Sequence, residues 1–197
     1  MSNAPVHFTV LINIGLAIIP AIISFYLFRI SSHRTYLWWG LALIMIAFLP
    51  NSAYVLTDVI HLIAAVKSPE ISFNYLVFLL VPLFIVYFVI CFEFYVLSIV
   101  WTQQYMVKQS WTNLANLYVP SIHFLCAIGV YLGRVQRLES DDIAIHPWVV
   151  FQDLKLDLTH EHSLLYILGL FCGFYLLYQT VVTINCRLSQ KYKLFNN

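Results

Sequence analysis

The stretch Leu49-Pro50-Asn51-Ser52-Ala53-Tyr54-Val55-Leu56-Thr57-Asp58-Val59-Ile60-His61-Leu62 puts an amide, a phenol, a carboxylate and an imidazole at helical spacing. At about 100° per residue, Asn51, Tyr54, Asp58 and His61 fall within an arc of about 80° on one helix face. Asp58 and His61, at i and i+3, could share a divalent metal ion or act as a carboxylate-oriented base. Helix-end hydrogen bonding and an ion pair to another helix would use the same residues. A second stretch, Gly129 to Asp142, carries Arg134 and Arg137 on one side of a continuing helix, followed by Asp141 and Asp142. Two guanidinium forks that close together suit a carboxylate, a phosphate or a lipid headgroup. The alternative is a set of rim ion pairs to Asp58, Asp141 or Asp142.

The elements that must position these groups are membrane helices. Of 197 residues, 61% are hydrophobic and 10% charged, with a mean hydropathy of +0.83, whereas a soluble domain carries about 25% charged residues. The net charge of +1 offers no basic excess of the kind that binds nucleic acid. The four cysteines show no CxxC spacing, so no thiolate zinc site or disulfide framework is indicated. A bilayer core needs about 20 apolar residues per helix, and five runs supply them, near 8–28, 36–56, 74–100, 113–132 and 163–185. The fold class is therefore all-α: a polytopic helical bundle forming a single membrane domain over 1–197. The last outer loop, 134–162, contains a short interfacial helix in which Trp148, Phe151, Leu154 and Leu158 recur at three- and four-residue steps.

Placing the N-terminus outside and the C-terminus in the cytoplasm puts Arg29, Arg34, Lys108, Arg187, Lys191 and Lys193 on the cytoplasmic side. Lys67, Arg134, Arg137 and Lys155 then lie outside, with most of the acids. Polar chemistry collects at that outer face. Buried ionisable residues in other spans are expensive unless paired, and Glu93 and His123 could hydrogen-bond across the third and fourth helices. His146, His160, Glu161 and His162 could add ligands to a site at Asp58 and His61, although His160-Glu161-His162 lacks the His-Glu-x-x-His spacing. No cofactor is indicated beyond such a divalent metal. Small-residue pairs, Gly129 with Gly133 and Gly169 with Gly173, permit close helix approach, either between the fourth and fifth spans or in an oligomer.

The two polar segments resemble the signatures of a bacterial integral-membrane family known as domain of unknown function 1361. Pro50, Asn51, Tyr54, Thr57, Asp58, His61 and Leu62 match the first signature, and Gly133, Arg134, Arg137, Ser140 and Asp142 the second. The resemblance implies a helical membrane bundle in a bacterial cytoplasmic membrane and no known activity. Three classes of function fit the residues. One is a binding or accessory protein whose cluster of Asn51, Tyr54, Asp58, His61, Arg134, Arg137 and Asp142 recognises a lipid headgroup or small anionic ligand. Another is a membrane-embedded enzyme using Asp58 and His61 as acid-base groups or metal ligands, with the arginines holding an anionic substrate. The last is a transporter component, which five spans without an inverted repeat would support only with partners.

Overall fold

A computed structural model of the chain describes residues 6–31, 33–69, 71–136, 148 and 161–195. Among the described residues there is no strand. Among the same residues five helices are long and apolar enough to cross a membrane: Val10–Ile30, Tyr36–Lys67, Phe73–Lys108, Thr112–Arg134 and His162–Ser189. Five spans were expected at these places. The second and third run further than their hydropathy suggested, because the polar Thr57, Asp58 and His61 and the amide-rich Gln103-Gln104 lie within continuous helix instead of ending it.

The chain falls into two compact units, Met1–Thr112 and Asn113–Asn197. In the first, α1 (Val6–Phe25) runs into a π-type turn, Tyr26–Ile30. Next come α2 (Tyr36–Tyr54), a 3-10 turn (Val55–Asp58) and α3 (Val59–Lys67). The third span is built from α4 (Phe73–Tyr75), a second π-type turn (Leu76–Leu80) and α5 (Val81–Lys108). Thr35 starts α2 by accepting the Trp38 amide hydrogen at 3.3 Å, a side-chain cap on one of the helix's orphan donors. Pro82 follows directly on the π-type turn within the continuous third span, where a residue without an N–H interrupts the regular helical bonding.

α5 ends in a Schellman motif. The Trp111 amide donates to Met106 O at 2.9 Å and the Ser110 amide to Val107 O at 3.0 Å, the 6→1 and 5→2 pair that closes a helix. Ser110 has φ 64°, the left-handed region usually given to glycine.

α1 packs against both α2 and α5. Ala17 is fully buried and packs with Val55, Phe84, Tyr87 and Cys91, and its carbonyl accepts the Ser52 hydroxyl at 2.8 Å. A small residue on α1 thus lets α2 come close enough for a side-chain to backbone bond, the usual means of association where burial of apolar surface gives no drive. Leu11, Ile22, Leu43, Phe78, Leu83, Val89, Leu165 and Leu176 are all exposed. Around a water-soluble protein such apolar surface would be a liability, whereas lipid chains solvate it.

In the second unit, α6 (Thr112–Tyr131) continues into a π-type turn, Leu132–Gln136, and α7 spans Glu161–Phe195. Tyr131 donates its hydroxyl hydrogen to Ser163 Oγ at 2.9 Å, tying the end of α6 to the start of α7. Among the described residues, a Cβ built at Gly169 or Gly173 meets no atom within 4 Å, so within them this pair does not make the tight helix approach that its spacing permits. The expected interfacial helix, Arg137, Asp142, His146 and His160 lie outside the described residues; Trp148 is exposed.

Candidate functional site

The polar groups of the first unit converge on one carboxylate. Asp58 is buried, with 4% of its surface exposed. Its Oδ2 accepts the Asn13 side-chain amide at 2.9 Å and the Tyr87 hydroxyl at 2.9 Å. One residue from each of the first three spans therefore meets at a single oxygen. The other oxygen, Oδ1, lies 3.9 Å from His61 Nε2, too long for a hydrogen bond and close enough to feel an imidazolium charge.

The depth of this node is set by helix rise. At about 1.5 Å per residue, the distance along α1 from Asn13 to Arg29 is about 24 Å, and from Tyr87 to Gln104 along α5 about 26 Å. The register agrees because Arg29 donates to Gln104 at 2.8 Å. With a hydrocarbon core about 30 Å thick, an arginine level at one boundary puts the node just inside the other. A carboxylate there needs strong donors, since each unsatisfied polar group in lipid costs several kcal/mol, to within a factor of about two.

The four residues expected to share one helix face differ in burial. Asp58 points inward while the His61 side chain is 52% exposed, and Asn51 and Tyr54 are half-buried. The cause is local. A 3-10 turn advances about 120° per residue instead of about 100°, so the turn over 55–58 rotates α3 by about 80° relative to a continuous α-helix. Thr57 marks the tightened backbone by donating its hydroxyl to Tyr54 O at 2.6 Å. The extra rotation turns Asp58 toward Asn13 and Tyr87 and away from the face of Asn51 and Tyr54, while His61, one helical turn further on, stays within 3.9 Å of Asp58 Oδ1.

Asn13 and Tyr87 were not among the residues singled out from the sequence. A signal existed for Asn13: it is the sole amide in the first apolar run, and an amide in lipid calls for a partner. Tyr87 carried none, because the third span alone also holds Tyr75, Tyr95 and Tyr105.

Tyr87 has a second role. With Val10, Ile14, Leu80, Leu83 and Phe84 it lines an apolar cleft of about 450 Å³ between α1 and the third span. That volume falls within the range of about 300–1,000 Å³ usual for small-molecule sites. Its flanking residues Leu11, Leu83, Val86 and Ile90 are exposed, so the cleft opens on the apolar flank of the unit.

In the second unit Arg134 is half-buried in the turn after α6. His123 is fully buried. Its Nδ1 lies 2.6 Å from Val119 O, which makes Nδ1 the protonated nitrogen, and the ring meets Tyr175 and Tyr178 edge to face. Among the described residues no group of three or more His, Cys, Asp or Glu side chains could hold a metal ion.

No curated protein and no solved structure matches the chain. One family model does, over residues 12–179, a stretch that includes the Asn13, Asp58 and Tyr87 node and Arg134. The chain belongs to the family described as Protein of unknown function (DUF1361).

Proposed function

We propose that the protein is a membrane binding or accessory protein that holds one amphiphile at the Asp58 end of its first three spans. The observation that carries this reading is the double use of Tyr87, whose ring walls the apolar cleft and whose hydroxyl donates to Asp58. An acyl chain is the occupant with access, because the cleft opens where lipid tails lie. The polar end of the same molecule would meet the exposed imidazole of His61, with Asn51 and Tyr54 as further donors and acceptors. In this reading the membrane is a bacterial cytoplasmic one, as the family resemblance implies, and the N-terminus is outside. The gathering of Arg29, Arg34 and Lys108 at the opposite end of the unit supports that orientation.

The test fills the cleft. Leu83→Trp puts an indole into the apolar wall without touching Asp58, and Leu83→Ala enlarges it. Native mass spectrometry of the detergent-released protein should show a retained amphiphile on the wild type that is lost in Leu83→Trp. A wild type that carries no retained amphiphile, or a Leu83→Trp variant that retains it in full, would overturn the reading.

A further inference from the structure

The opposite end of the first unit carries a second constellation. Arg29 lies with its guanidinium carbon 6.0 Å from the centre of the Trp101 ring and donates to Gln104 Oε1 at 2.8 Å. Arg34 lies 4.7 Å from the Trp111 ring and 5.4 Å from the Tyr105 ring, and its Nε donates to Tyr105 Oη at 2.6 Å. Both side chains are exposed. Each is held by aromatic faces and a neutral acceptor, and among the described residues neither pairs with a carboxylate. Rings fix the two forks in place while leaving their positive charge uncompensated.

Helix geometry adds a third cation. Taking Trp101 as zero, Gln104 lies at about 300° around α5, Tyr105 at about 40° and Lys108 at about 340°. Lys108 therefore projects between the Arg29 and Arg34 anchor points, one turn nearer the helix end, and it is exposed. The Schellman motif at Ser110 then folds Trp111 back beneath Arg34. Phe28, Trp38 and Tyr105 pack together edge-to-face and tilted, the ring-rich composition that sits at headgroup level.

We infer that Arg29, Arg34 and Lys108 form a binding site for the headgroup of an anionic phospholipid. A phosphodiester matches guanidinium forks, the surrounding rings seat the site at the depth where lipid phosphates lie, and the charge is complementary. A basic residue near an anionic leaflet contributes on the order of 1 kcal/mol, about a fivefold preference each. This site is at the other end of the unit from the amphiphile cleft and does not depend on it.

The full-length protein is reconstituted in nanodiscs of equal phosphatidylglycerol and phosphatidylcholine, and the lipids retained on release are counted by native mass spectrometry. The wild type should retain phosphatidylglycerol at least tenfold over phosphatidylcholine. In Arg29→Gln/Arg34→Gln the ratio should fall to about five or below, the preference that Lys108 alone supplies. Lys108→Gln removes a charge without removing any ring contact, and should lower the ratio about fivefold whether or not the double variant folds. Equal retention by the wild type, or an unchanged ratio in folded variants, would overturn the inference. Release of the lipid by millimolar inorganic phosphate would also overturn it, by making free phosphate the ligand. Loss of the preference in Leu83→Trp would do the same, by placing the anionic lipid in the cleft; failure of the cleft reading alone leaves the ratio untouched.

Discussion

Tyr87 donates its hydroxyl hydrogen to Asp58 Oδ2 across 2.9 Å, and Asn13 donates its amide to the same oxygen at the same distance. The first three spans are thereby joined at one atom near one end of the helices. Each donor offsets part of the cost of keeping a carboxylate out of water. Hydrogen bonds to charged groups are worth about 1.5–3 kcal/mol in water-soluble proteins, but cycles between membrane helices average about 0.6 kcal/mol. Tyr87→Phe and Asn13→Ala should therefore each lower stability by about 1 kcal/mol. Asp58→Ala strands both donors and should cost about 2–3 kcal/mol. Unfolding in mild detergent, run as a double-mutant cycle, measures these values. A loss in Asp58→Ala smaller than that in Tyr87→Phe would show that the carboxylate is not what these donors hold.

The turn after α5 gives an independent prediction. Ser110 holds φ 64° with no glycine to relax it, and a left-handed residue with a Cβ costs about 1–2 kcal/mol. Ser110→Gly removes that cost while gaining entropy in the unfolded chain, so the net gain should be about 0.5 kcal/mol. Ser110→Val should lose more than 1 kcal/mol, since a β-branched side chain fits this region worst. Both are read as shifts in the thermal midpoint. The Arg34 stack on Trp111 should loosen in the valine variant, seen as a change in Trp fluorescence.

The helical count and most of the span positions were legible because apolar runs of this length have few other uses. Asp58 was legible too: a carboxylate in such a run demands a partner. Its partners were not, because Asn13 and Tyr87 lie far from it in sequence and are chosen by helix packing. The 3-10 turn was equally hidden. Val55, Thr57 and Asp58 are all indifferent helix formers, but that weak preference does not single out a 3-10 turn, and it is the turn that brings Asp58 round to Asn13 and Tyr87. Arg29 and Arg34 were visible as charge, but their seating on Trp101, Tyr105 and Trp111 depends on how the first span returns to the end of the third.

Gly169 and Gly173 test whether a spacing rule has a surface to act on. A Cβ at either position meets open space, and alanine is favoured over glycine in a helix by about 1 kcal/mol. Gly169→Ala and Gly173→Ala should leave thermal stability unchanged or raise it by up to about 1 kcal/mol. If a second copy of the chain covers this face in the membrane, Gly169→Leu should shift the particle to smaller mass in detergent by light scattering. An unchanged mass with unchanged stability would remove this face from consideration as an oligomer contact.

His61 separates scaffold from ligand contact at the Asp58 end. Its imidazole is about half exposed and lies 3.9 Å from Asp58 Oδ1, a geometry in which an ion pair is worth about 0–1 kcal/mol. His61→Gln should therefore change stability by less than about 0.5 kcal/mol, as exposed substitutions generally do. If the polar end of a bound amphiphile meets this ring, the same variant should retain several-fold less of it. Asp58→Ala, in contrast, should lose stability and ligand together, because the node both joins the spans and backs the Tyr87 wall of the cleft. A His61→Gln variant that unfolds like Asp58→Ala would assign the imidazole to the scaffold. One that keeps both stability and ligand would leave the amphiphile bound by the cleft alone.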